Sequence, residues 1–166
     1  MKRPFATLFF VLFASASFAK ADDSIVRWRT IVGLITAPKV DNLVAGISAG
    51  AGPWNTTGGH ARVSLKTGSV DFQVEGLVLN GSNSSGTVPT AFPNTVGTLV
   101  CDAGTASPTT FDTPQVPLSQ QGDAGFSGQL VNFAPGQQCT NPLFLIRVPA
   151  LAGKWIATGS VRITDN

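Results

Sequence analysis

Apolar and polar residues alternate most clearly over Ala61 to Asn80, where Val63 and Leu65, then Val70, Phe72 and Val74, fall on one side of an extended chain. Between the two halves Thr67, Gly68 and Ser69 form a short glycine-containing turn, which predicts an antiparallel hairpin with a long second strand. The same reading predicts strands at Ile25 to Ile35, Ala61 to Lys66, Ser69 to Asn80 and Val96 to Asp102. It continues with Thr109 to Leu118, Gly125 to Val131, Leu143 to Val148 and Lys154 to Ile163. Clusters of glycine, proline and serine separate these segments. Helical periodicity is scarce; the best candidate, Pro38 to Ala49, is rich in valine and glycine, which disfavour it. About eight short strands with turns between them predict an all-β fold, an antiparallel β-sandwich or a small closed barrel.

The N-terminus changes where this domain is expected to work. Lys2 and Arg3, the apolar run Leu8 to Ala14 and the small residues leading to Ala21 have the three regions of a secretory signal peptide. Cleavage is expected after Ala19 or, in the A-x-A pattern of Ala19, Lys20 and Ala21, after Ala21. Residues 1–21 are therefore expected to be the signal and 22–166 a single β-domain, secreted or periplasmic. The apolar run is too short for a bilayer-spanning helix, which needs about 20 residues, so no membrane span is expected in the mature chain. A membrane β-barrel is disfavoured by the absence of tyrosine and a C-terminus without an aromatic residue.

Export also revises the charge. The full chain has 11 Lys and Arg against 9 Asp and Glu, and cleavage after Ala21 removes Lys2, Arg3 and Lys20 but no acid, leaving 8 against 9. The apparent basicity belongs to the targeting peptide, so no nucleic-acid partner is expected. Charged residues are only 12% of the chain, which suits an extracellular β-protein. Cys101 and Cys139 are the only cysteines, and in an oxidising compartment they are expected to form a disulfide.

Candidate chemistry is sparse. Gly46, Ile47, Ser48, Ala49 and Gly50 match the G-x-S-x-G of a nucleophile elbow. The following Ala51, Gly52, Pro53 and Trp54 do not begin a helix, and the only histidine, His60, comes before the acid the order requires. His60 alone makes no zinc site. Asp71 and Glu75 share a strand face but are about 13 Å apart along it, too far for either glycosidase geometry. The repeated Asp-Ala-Gly at Asp102 and Asp123 raises calcium, yet no EF-hand loop is present and turn chemistry accounts for both. No catalytic residue, cofactor or metal ligand is assigned. Trp28 and Trp155 lie in strands and are expected in the core. Trp54, Asn55 and His60, in and after a long glycine-rich loop, are the expected ligand-contact residues, and a structural plug is the other role for Trp54. Asn55, Asn80 and Asn83 begin N-x-[ST] sequons.

The second half of the chain carries a resemblance. The runs Gly97 to Cys101, Asp112 to Pro114 with Val116 to Ser119, Gly122 to Ala124 with Phe126 to Gly128, Phe144 to Arg147, and Trp155 to Ala157 with Gly159 resemble a group of small exported bacterial proteins of unassigned function. That resemblance implies export and a shared β-fold and brings no activity. The hairpin is loosely similar to chordin-type (CHRD) domains through Gly76 and Leu77, but the HIH motif that follows there is missing. The expected function is a secreted, non-catalytic binding or structural module whose partner is a glycan or a cell-surface protein. The alternatives are a carbohydrate-active hydrolase assembling Asp71, Asp112 or Asp123, and a self-assembling surface protein.

Overall fold

A computed structural model of the protein describes residues 24–36, 40–81 and 83–165. The expected signal peptide, residues 1–21, lies outside them. Strands follow in the order β1 (Ile25–Gly33), β2 (Trp54–Asn55), β3 (Gly58–Ser64), β4 (Ser69–Glu75), β5 (Val78–Leu79) and β6 (Asn94–Cys101). They continue with β7 (Thr109–Asp112), β8 (Val116–Pro117), β9 (Ala124–Gln129), β10 (Leu143–Val148) and β11 (Lys154–Asp165). The only helical element among the described residues is a single 3-10 turn, Pro149–Leu151. No helix there is long and apolar enough to cross a membrane.

One antiparallel sheet, in the order β7-β6-β10-β11-β1-β3-β4-β9 with β8 added to β6, curves into a half-barrel, and β2 and β5 form a second small sheet. The alternation that predicts the hairpin is realised in β4, where Val70, Phe72 and Val74 are buried and their neighbours exposed. Inside the curve, Phe144 packs between Trp28 and Phe72, each ring centroid 5.6 Å from its own. Two glycines make room for these rings. A side-chain carbon at Gly97 would stand 2.7 Å from Phe144, and one at Gly159 would stand 2.6 Å from Trp28.

Two long predicted strands are shorter than expected, each for a local reason. Ser69 to Asn80 divides at Gly76, whose φ of 61° turns the chain out of the sheet; Leu77 drops into the core and β5 pairs instead with β2. Thr109 to Leu118 divides around Pro114, which has no N–H for a ladder. The weak helical candidate is not helical over its described residues: Val44 bridges to Ile47 and Ala49 to Trp155.

The free side of β9 explains why the barrel stays half-closed. The chain from Asp112 to Ser119 is tied to β9 at both ends, by Val131 N–H to Asp112 O at 2.8 Å and Ser119 N–H to Asp123 O at 3.0 Å. Between those ties Pro114 and Pro117 cannot donate, while Thr113 and Leu118 give their N–H groups to Gly97 and Pro93. Across the molecule, the disulfide Cys101–Cys139 joins the end of β6 to the loop before β10. Asp102 reinforces it, its Oδ1 accepting the Thr140 N–H at 3.0 Å.

Candidate functional site

The outer face of β3, β4 and β9 gathers polar side chains because strand register leaves no alternative. Arg62 stands opposite Asp71, and Asp71 opposite Ser127. One pleat along, His60 stands opposite Gln73, and Gln73 opposite Gly125. Since the intervening Phe72 and Val74 point into the core, all of these face solvent. Gly125 contributes no side chain, so a trough of about 500 Å³ opens over Gln73 and Gly125, with His60, Asp71, Asp123 and Ser127 around it and Pro117 at its end. A neighbouring recess, lined by Arg62 and Ser64, shares Asp71 and Ser127 with the trough.

Within this face His60 Nε2 lies 3.3 Å from Asp71 Oδ1, both side chains about half exposed. Gln73 Nε2 donates to Glu75 Oε1 at 3.1 Å. Asp123 turns away to accept the Gly76 N–H at 3.0 Å.

This arrangement limits the chemistry. Ser127, Asp71 and His60 contain the residue types of a hydrolytic triad in the wrong order. Asp71 stands between the other two, and serine and histidine, two strands apart and two residues out of level, have backbones about 12 Å from each other, beyond proton-transfer reach. Among the carboxylates, Asp123 is four residues along β9 from the partner of Asp71, a displacement of about 13 Å, outside both glycosidase windows. Asp112 sits elsewhere, accepting Thr98 Oγ1 at 2.6 Å and Arg147 Nη1 at 3.2 Å. Ser48 gives its hydroxyl to Asp41 at 3.0 Å and lines a separate recess with Arg147 and Lys154.

No protein-family model, curated protein or solved structure matches the chain.

The three expected contact residues do not come together. His60 lies in the trough. Asn55 is exposed on the small sheet; Asn80 and Asn83 are exposed as well. Trp54 is not available as a ligand contact: it is 2% exposed and packs on Phe92 at 6.3 Å. Its N–H to Leu34 O bond and the pairing of β2 with β5 draw the indole over the open end of the core, the plug role. Trp28 and Trp155 are buried as expected. What the sequence reading missed is the company of Asp71. Counting outward from the Thr67–Ser69 turn puts Arg62 opposite Asp71 and His60 opposite Gln73; the approach of Ser127 and Asp123 from β9 leaves no local signal.

Proposed function

We propose that this protein is an exported, non-catalytic binding module that makes contact through the outer face of β3, β4 and β9. The observation that carries this reading is the trough over Gly125, the place where His60, Asp71, Gln73 and Ser127 present unburied hydrogen-bonding groups around a recess large enough for a small ligand. The mixture of donors and acceptors, set beside Pro117 and Phe126, suits a glycan or a polar protein surface. The disulfide supports an oxidising compartment and hence export. The spacing of Ser127 from His60 and of Asp71 from Asp123 weighs against the hydrolase alternative.

The test is a thermal-shift screen of the exported chain against soluble glycans, calcium and zinc, followed by amide chemical-shift mapping. A ligand at about 100 times its Kd stabilises the fold by roughly 2.7 kcal/mol. A saturable shift that maps to β4 and β9 and is lost in Asp71→Ala, but kept in Asn55→Ala, is the expected result. Ligand-induced shifts confined to the β2 and β5 side would overturn the assignment of the face.

A further inference from the structure

Charge on this face is sorted by strand. Arg27 and Arg62 are partners in the β1–β3 register, with His60 on the same strand as Arg62. Asp71 and Glu75 lie on β4 and Asp123 precedes β9. The arginines thus occupy one half and the carboxylates the other, divided by the line between β3 and β4. Arg62 is exposed and makes no ion pair with a described residue, although Asp71 stands opposite; the Asp71 carboxylate lies 3.3 Å from His60 Nε2 instead.

A surface split in this way is complementary to itself. We infer that a second copy of this chain docks on this face, the two related by a two-fold axis that runs between β3 and β4, parallel to them. That operation lays each β3 over the other copy's β4 at the same level, so Arg62 faces Asp71 twice and His60 faces Gln73 twice. The contact is isologous and closes after two copies. It names the partner of the face proposed above and so rests on that reading.

Size and chemistry set its strength. Four strands about 4.8 Å apart and six residues at about 3.3 Å cover roughly 400 Å² per copy, half of the approximately 800 Å² that a standard stable interface buries on each side. None of the exposed large hydrophobic residues is on β3, β4 or β9. Association is therefore weak and ionic, and falls with salt.

Sedimentation velocity of the full exported chain tests this without any variant. Mass rising with concentration at about 0.01 M ionic strength, where the Debye length is about 30 Å, and lost at about 1 M, where it is about 3 Å, is expected. Arg62→Asp and Asp71→Arg, both at exposed positions, each bring like charges face to face and should sediment as monomers. Mixed in equal amounts they should associate again. The acid introduced by Arg62→Asp then meets the base introduced by Asp71→Arg, and the unchanged Asp71 of the first variant meets the unchanged Arg62 of the second. Recovery in the mixture is not produced by a role confined to one chain. Monomers under every condition, or single variants that still associate, overturn the two-fold contact; a glycan shift mapping to the trough in that case leaves the binding face standing with a different partner.

Discussion

Trp54 and Asp71 separate what holds the molecule together from what it presents. Trp54 is enclosed by Phe92 and the small sheet, so Trp54→Ala empties an aromatic site in the core and should cost about 3–5 kcal/mol, lowering the melting temperature by roughly 10 °C or more. Its neighbour Asn55 is exposed, and Asn55→Ala should stay within about 0.5 kcal/mol of the parent. The contrast is read in one pair of calorimetric scans; similar melting temperatures for the two would mean that the indole is not part of the core. Asp71 belongs to the opposite class. Its contact with His60 is half exposed, and even a charged pair so placed contributes about 0–1 kcal/mol. Asp71→Ala should therefore melt with the parent while losing whatever the face binds.

At the scale of elements, strength should follow how many neighbours each strand has. The β6, β10 and β11 strands lie together within the sheet, and every residue of β6 after Asn94 is buried. The β9 strand has a ladder on one side and only the two terminal ties on the other. Native-state hydrogen exchange should protect β10 amides up to global unfolding and release those of β9 by local opening; equal protection would mean that the proline-interrupted side of β9 is sealed. This asymmetry also marks how far the sequence could be read. Strands such as β10 and β4 were legible because their own residues, Leu143 to Val148 and the alternating Val70, Phe72 and Val74, declare a buried face. The breaks at Gly76 and Pro114 are missed by a reading that runs one strand through each, because where the chain goes next depends on β2 and β6, distant in sequence. The same holds for the site. His60, Arg62 and Asp71 belong to one hairpin and could be placed from its turn, whereas Ser127, Asp123 and the empty position at Gly125 arrive by a pairing between β4 and β9 that no local pattern encodes. Trp54 keeps two roles in the sequence, contact and plug, for a related reason, because a glycine-rich loop does not show that Leu34 and Leu79 hold it down.

For the whole molecule, the question is whether the disulfide maintains the fold or only adds to it. Cys101 and Cys139 are 38 residues apart, and in the chain-entropy model closing such a loop contributes roughly 3–4 kcal/mol. Several contacts would survive its loss: the Asp102 N–H to Thr140 O bond at 2.7 Å, the Asp102 carboxylate on the Thr140 N–H, and Phe133 set edge-on against Phe111 at 4.9 Å. The core around Phe144 does not touch the cross-link's loop at all in the ring contacts it makes. Replacing both cysteines by alanine should then lower stability in water by that amount while leaving the transition cooperative, with a somewhat steeper slope because the unfolded chain without the cross-link exposes more surface. Chemical reduction of the native protein should be slow, because Cys101 is fully buried and attack has to come through the partly exposed Cys139. A variant that loses cooperativity would show instead that the cross-link organises the half-barrel itself, and that β6 and β10 hold their register only while Cys101 and Cys139 are joined.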